Sequence, residues 1–251
     1  MRLIFSDLDG TLLDDDYSFQ AAAAGLDAVR SAAIPLILTT SKTRAEVEYW
    51  RNRLDNRDPF IVENGAAVYM PRGNGYDVIE LGARYEALVR ALVEAADSAG
   101  CRIRGFHQMP VEEIAALSGL SLEQAALARR REYDEPFEIL DGNEHELLAA
   151  VEARGFRWTR GGRFFHIIGA SDKARAVLAL RARYRADVVT IGLGDSLNDA
   201  TFLNVMDIAI LIRSPFLDRL QAAVPQGRVT RLPGPAGWNE AVLEVLAETA
   251  A

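Results

Sequence analysis

Residues 2–14 read RLIFSDLDGTLLD. Leu3, Ile4 and Phe5 form a short apolar run of the kind found where a strand is covered on both faces, as in a parallel sheet. The run ends at Asp7, and a second carboxylate follows at Asp9 before Gly10 and Thr11 turn the chain. An aspartate ahead of a glycine is often only a turn former. Two carboxylates at the end of a buried strand, however, repel each other and resist ionisation unless a cation lies between them.

The stretches that follow place this strand in a fold. Residues 18–33 (SFQAAAAGLDAVRSAA) pattern as a helix, 34–40 (IPLILTT) as a strand, 43–54 (TRAEVEYWRNRL) as a helix and 59–64 (PFIVEN) as a strand. The alternation returns near the C-terminus: KARAVLALRARY from Lys173, the strand DVVTIGLG (187–194), a helix from about Ser196, DIAILI, a helix around FLDRLQAAV, RVTRL and a last helix. Strands alternating with helices of 10–15 residues make βαβ units and a parallel sheet. Between them the rhythm changes. A hairpin over 66–81 turning at Gly73–Gly75 precedes helices, short strands and the pair FRWT and RFFHII. The expected fold class is therefore α/β: a doubly wound, Rossmann-like core from residues 1–82 and 169–251, with an α+β domain inserted at 83–168. Gly82 and Gly169 flank the insertion and are expected to ease a hinge.

Composition narrows the function classes. Of 251 residues, 49% are apolar and 25% charged, with net charge −8, so a soluble globular protein is expected and nucleic acid is not a partner. A single cysteine, Cys101, excludes a disulfide framework and a thiolate metal cluster. Arg2, Asp7 and Asp9 interrupt any signal-peptide apolar core, and no run reaches the ~20 apolar residues of a membrane span, so a cytoplasmic address is expected. Of the 28 basic residues only Lys42 and Lys173 are lysines. Codon bias explains the arginines but not the two exceptions. A compact ammonium and a planar guanidinium suit different sites, so both lysines are candidate site residues.

Ligands of open parallel sheets bind beyond the carboxyl ends of the strands. After the successive strands come Asp7 and Asp9; Thr39, Thr40, Ser41 and Lys42; Glu63 and Asn64; and Asp195, Ser196, Asn198 and Asp199. Singly, each has an ordinary explanation, since Thr40 or Ser41 could cap the next helix and Asp195 or Ser196 another. Four strand ends delivering carboxylates, hydroxyls and a lysine to one edge are harder to attribute to chance. Hard oxygen donors without paired histidines suit Mg2+. The run GLGDSL lacks the third glycine of a dinucleotide site and places a carboxylate where a pyrophosphate would approach.

Together DLDGT (7–11), a threonine after the second strand, an isolated lysine before a helix and GDSLND (194–199) resemble the four motifs of the haloacid dehalogenase superfamily of phosphohydrolases. The resemblance implies that Asp7 is the nucleophile, forming an aspartyl-phosphate, and Asp9 the general acid–base. It implies that Thr40 bonds a phosphoryl oxygen and that Lys173 offsets charge. It implies further that Asp195 binds Mg2+ with Asp7 and the carbonyl of Asp9, and that Ser196, Asn198 and Asp199 support the metal. The long insertion resembles the Cof-like subclass. TSKTRAEV (40–47), FIVENGA (60–66), RREYDE (130–135) and GGRFFH (161–166) resemble the mannosyl-3-phosphoglycerate phosphatases, which release phosphate to leave a glycosylglycerate. Phe165 stands where that pattern has tyrosine, which would remove one hydroxyl contact.

Under this resemblance Lys42, Glu63, Asn64, Arg131, Glu132, Asp134, Arg163 and His166 are candidate substrate-binding residues. Arg163 with the backbone of Gly161 and Gly162 would hold an anion, and Glu135 would join the hydroxyl readers. The plainer readings are a solvated helix end at RRREYDE with i,i+4 ion pairs, a surface hairpin at GGRFFH and a core histidine at His166. Trp50, Trp158 and Trp238 read as packing residues, His107 and His145 as surface or structural ones. The implied partner is a small phosphorylated sugar or glycerate, acted on by a monomer or homodimer. Alternatives on the same scaffold are a broad sugar-phosphate phosphatase, a phosphohexomutase and a non-catalytic phosphosugar-binding protein.

Overall fold

The structure is a computed structural model, and it describes residues 1–160 and 163–248. In chain order its elements begin with β1 (Arg2–Ser6), α1 (Ala23–Ser31), β2 (Leu36–Thr39), α2 (Arg44–Arg53), β3 (Phe60–Val62), β4 (Ala67–Arg72) and β5 (Gly75–Glu80). Next come α3 (Tyr85–Ala99), β6 (Arg102–Gly105), α4 (Val111–Ser118), α5 (Leu122–Ala128), β7 (Asp134–Asp141), α6 (Glu144–Ala153), β8 (Arg157–Arg160) and β9 (Phe165–Ile168). The remainder is α7 (Lys173–Arg181), β10 (Val189–Gly194), α8 (Ala200–Leu203), β11 (Ile208–Arg213), α9 (Leu217–Ala223), β12 (Arg228–Pro233) and α10 (Gly234–Glu248).

These elements fold as two units. One comprises Met1–Thr40, Asn56–Ile79 and the chain from Asp172 on; the other comprises Ser41–Asp55 and Glu80–Ser171. The first holds the sheet β12-β11-β10-β1-β2-β3-β4-β5. Every pairing from β12 to β3 is parallel, and β3–β4 is antiparallel. β1 lies inside it, with Leu3 and Phe5 fully buried, as the opening apolar run predicts. Successive strands run outward from β1 in both directions, to β2 on one side and β10 on the other. That reversal is the topological switch point of a doubly wound sheet, where a crevice opens beyond the carboxyl ends.

The last helix is tied to this central strand. Trp238 of α10 is fully buried, and its indole N–H donates to Ser6 Oγ at 3.0 Å. Ser6 Oγ in turn donates to the Asp7 carbonyl at 2.7 Å. The far end of the sequence thus fixes the backbone where the first carboxylate emerges.

The second unit is α+β. Its antiparallel sheet runs β6-β7-β9-β8, and Phe137, Phe165 and Ile167 form an apolar core with Leu88 and Leu92 of α3 and Leu147 and Val151 of α6. A smaller cluster gathers Phe106, Met109, Ile114, Ala125 and Phe164. The insertion expected at 83–168 differs from this unit chiefly by α2. Thr43 Oγ1 donates to the Leu127 carbonyl at 3.0 Å, and Arg44 Nε to Glu132 at 2.8 Å, so α2 is bound to the segment after it. Gly169 runs so close to Ala83 that a Cβ would stand 2.5 Å from its backbone nitrogen.

Two local expectations are corrected. Neither Thr40 nor Ser41 caps α2: Thr43 does, accepting from the Glu46 N–H at 3.1 Å while Glu46 accepts from the Thr43 N–H at 2.8 Å. This reciprocal capping box satisfies two helix-end donors. Helix α5 stops at Ala128, and Arg131 folds back to donate to the Ala128 carbonyl at 3.0 Å. RRREYDE is therefore not a solvated helix end; Asp134 and Glu135 open β7 fully buried.

Candidate active site

The site follows from the strand order. β10, β1, β2 and β3 are consecutive and parallel, so their carboxyl ends share one edge. Asp195 follows β10, Asp7 follows β1, Thr40 follows β2, and Glu63 and Asn64 follow β3. The register pairs Ser6 with Leu193, and the Asp7 N–H donates to the Leu193 carbonyl at 3.0 Å, fixing the first two side by side. Gly10, at φ +71°, is required where it stands: a Cβ would meet Asp195 Oδ2 at 2.6 Å.

Lys173 begins α7, one residue after the N-cap Asp172, and its side chain is 1% exposed. Its Nζ donates to Asp7 Oδ1 at 2.8 Å and to Asp199 Oδ1 at 2.6 Å. The other Asp199 oxygen accepts from the N–H groups of Asp195 and Ser196 and from Ser196 Oγ, each at 3.1 Å. Both oxygens of Asp199 are thus engaged in shaping the loop after β10 and in holding the lysine. Asp195 Oδ1 accepts from Thr11 Oγ1 at 3.3 Å, and Ser214 Oγ donates to the Asp195 carbonyl at 2.7 Å.

Charge decides what else this cluster can hold. Asp7, Asp195 and Asp199 are buried and bring one carboxylate oxygen each within 4.8 Å of the others. Lys173 brings one ammonium to this group of three carboxyls, bonding Asp7 and Asp199. Burial pushes the Asp7 carboxyl well above its ordinary range; Lys173 opposes the shift, and Asp199, Asp195 and Asp9 reinforce it. Asp195 is lifted to about 7, first by burial and then by Asp199. Burial by itself would lower the Lys173 pKa, but Asp199 and Asp7 outweigh it and hold the ammonium charged. Clustered carboxyls that resist ionising together, and that offer hard oxygen donors, fit a divalent cation.

The remaining candidates are divided between the two units. Asp9 is exposed and is not among the clustered carboxylates. Thr40 is 1% exposed, and its N–H donates to the Ile61 carbonyl at 3.1 Å. Asn64 Oδ1 accepts from Asn198 Nδ2 at 3.5 Å, and Asn198 Oδ1 also accepts from Ser196 Oγ. Lys42 lies in the second unit, 3.7 Å from Glu46. There too His166 Nδ1 is 3.0 Å from Asp134 Oδ1, and Arg131 is 3.5 Å from the other Asp134 oxygen. Asp134 is fully buried between His166 and Arg131.

Glu135, also fully buried, accepts from Tyr85 Oη at 2.7 Å and lies 2.6 Å from His107 Nδ1. Arg163 is exposed and donates to Glu138 at 2.7 Å; Gly161 and Gly162 lie outside the described residues. Phe165 packs in the apolar core against Phe137, on the strand face opposite His166. Sequence reading passed over Thr11, Ser214 and the Ser6–Trp238 pair. Thr11 carried a signal, since it closes the DLDGT motif; the others depend on long-range packing.

Residues 4–111 match the family model of the haloacid dehalogenase-like hydrolases. The chain is 37% identical to a glucosyl-3-phosphoglycerate/mannosyl-3-phosphoglycerate phosphatase of Methanococcoides burtonii, covering 98% of this chain and 97% of that protein. It is 40% identical to the phosphatase of the same description from Persephonella marina, with the same coverage. The chain belongs to the haloacid dehalogenase-like hydrolases. The fold agrees: a crystal structure of a haloacid dehalogenase-like hydrolase from Bacteroides thetaiotaomicron superposes with a TM-score of 0.72 at 16% identity, over 97% of this chain and 99% of that one. Among the described residues, no helix is long and apolar enough to cross a membrane.

Proposed function

We propose that this haloacid dehalogenase-like hydrolase is a Mg2+-dependent phosphatase that converts a glycosyl-3-phosphoglycerate, mannosyl or glucosyl, to the glycosylglycerate. The observation that carries the reading is the meeting of Asp7, Asp195, Asp199 and Lys173 at one sheet edge. Two near-full-length relatives bearing that description supply the substrate class.

In this reading a carboxylate oxygen of Asp7 attacks phosphorus, the ester P–O bond breaks, and Asp9 gives its proton to the departing alkoxide. Asp9, now a base, takes a proton from water as that water attacks the aspartyl-phosphate, which frees Asp7 and inorganic phosphate. Mg2+ held by Asp7, Asp195 and the carbonyl of Asp9 would neutralise phosphoryl charge when bound. Lys173 does the same through its ammonium, which also opposes the upward shift that burial imposes on the Asp7 carboxyl. Thr40 donates to a phosphoryl oxygen. Arg163 and His166, the latter set by Asp134 and Arg131, are assigned to the glycosylglycerate portion on the strength of the motif resemblance. Lys42, Glu63, Asn64 and Glu132 complete the assigned set.

The test is phosphate release from mannosyl- and glucosyl-3-phosphoglycerate beside hexose phosphates, with and without EDTA, for wild type and Asp7→Asn. Metal-dependent turnover of a glycosyl-3-phosphoglycerate that falls by at least about 10⁴-fold in Asp7→Asn is expected. Turnover of hexose phosphates alone refutes the substrate class, and return of labelled phosphate to substrate refutes hydrolysis. Equal turnover by Asp7→Asn refutes the mechanism.

A further inference from the structure

Three consecutive residues after β3 adopt left-handed backbone: Glu63 at φ +45°, Asn64 at φ +57° and Gly65 at φ +88°. Left-handed residues ordinarily occur singly, and non-glycine ones pay a steric cost that the surroundings must offset. Glu63 and Asn64 are two of only five non-glycine residues with positive φ among those described, and the only adjacent pair.

The turn touches the site from three directions. Its Asn64 N–H donates to the Thr40 carbonyl at 3.0 Å, tying it to the end of β2. The Asn64 side chain accepts from Asn198 at 3.5 Å, in the loop that carries Asp195 and Asp199. Gly65 lies against the first turn of α7: a Cβ there would stand 2.2 Å from the Asp172 carbonyl oxygen and 2.7 Å from the Lys173 nitrogen. Backbone is pressed on backbone, with no flexible side chain to give way. Lys173 projects from that point to Asp7 and Asp199.

The geometry points to the Glu63–Asn64–Gly65 turn as a positioning device that sets where α7 starts and so where the Lys173 ammonium stands relative to Asp7. The assignment deepens the proposed phosphatase reading and rests on it for its catalytic consequence. Its structural consequence is independent of substrate.

The composition supplies the probe. With two lysines in the chain, lysine-selective 13C and 15N labelling yields one side-chain signal for Lys173 and one for Lys42. Gly65→Ala forces the contact with Asp172 to open from 2.2 Å toward the 3.4 Å of ordinary packing. The Lys173 resonance is expected to move while that of Lys42 stays. Displacement of a catalytic group by about 1 Å costs on the order of 10²-fold, so kcat should fall by that order with KM little changed. Gly73→Ala is the control, since Gly73 also has a left-handed backbone (φ +56°) but a Cβ there meets nothing within 4 Å; both readouts should match wild type.

Should Gly65→Ala fail to fold, Asn64→Ala and Asn64→Gly decide. Both remove the amide and only alanine resists the left-handed turn. Alanine should displace the Lys173 signal and lower kcat below the glycine variant. An unmoved Lys173 resonance in folded Gly65→Ala, an equal effect from Gly73→Ala, or identical behaviour of the two Asn64 variants would overturn the assignment. Absence of phosphatase activity in wild type would defeat the functional reading, and the resonance would still judge the turn.

Discussion

Lys173 sits where a single positive charge must serve two carboxylates in a space 1% open to solvent. An ammonium on a flexible stem can point three donors into such a gap; a planar guanidinium needs more width and a different fork. Lys173→Arg is therefore expected to behave like a loss, although every other cation but Lys42 in this chain is an arginine. Lys173→Met leaves Asp7 and Asp199 buried without their partner, at a cost of about 3–5 kcal/mol. Chemical denaturation should register that loss for methionine, and steady-state turnover should drop for both variants. Recovery of near-wild-type turnover by arginine would contradict the geometry. The scarcity of lysine makes this residue legible in the sequence. The same signal also selected Lys42, which lies beside Glu46 in the second unit. Asp7 and Asp195 were legible because strand ends mark them. The double engagement of Asp199 was not, because it depends on how a loop after β10 turns its N–H groups inward.

Among the elements, the parallel strands could be read from short apolar runs, and their succession yielded the edge that carries the site. The short elements of the second unit were harder to bound. β7 opens on two buried carboxylates, Asp134 and Glu135, which look like solvated ones until their partners are known. His166 reaches Asp134 from β9 and Arg131 from the turn before β7, contacts that no local pattern encodes. Burial alone would raise the Asp134 pKa, but His166 and Arg131 outweigh it and hold the carboxyl below its ordinary value of 3.8. A depressed folded-state pKa contributes stability that is complete above the unfolded value and lost as pH falls through the folded one. Asp134→Asn should thus destabilise the protein by about 1–3 kcal/mol near neutrality. Denaturant titrations from neutral to acid pH should show the gap to wild type narrowing below about pH 4. A gap that widened toward acid would reverse the assigned sign.

For the whole molecule, Asp7 and Asp195 come from opposite ends of the sequence and meet only when β1 and β10 pair. The unfolded chain does not present these oxygens together, so a cation bound by the cluster binds the native state selectively and stabilises it by mass action. At a free concentration one hundred times its dissociation constant, that stabilisation is about 2.7 kcal/mol. For a protein of this size it corresponds to a rise of roughly 5–10 °C in melting temperature. Titrating Mg2+ into EDTA-treated protein should produce such a rise with a hyperbolic dependence on concentration, whereas Na+ at equal ionic strength should not. The comparison at matched ionic strength matters because the chain carries net charge −8, and any salt screens its self-repulsion to some degree. Asp195→Asn separates the two effects. It removes one carboxylate from the cluster while changing the net charge by a single unit, so screening would survive it and site binding would not. The variant should also melt higher than wild type in EDTA, since the carboxylate it deletes is one whose ionisation burial and Asp199 oppose. A Mg2+ shift that persisted undiminished in Asp195→Asn would place the cation elsewhere and remove the electrostatic basis for phosphate chemistry at this edge.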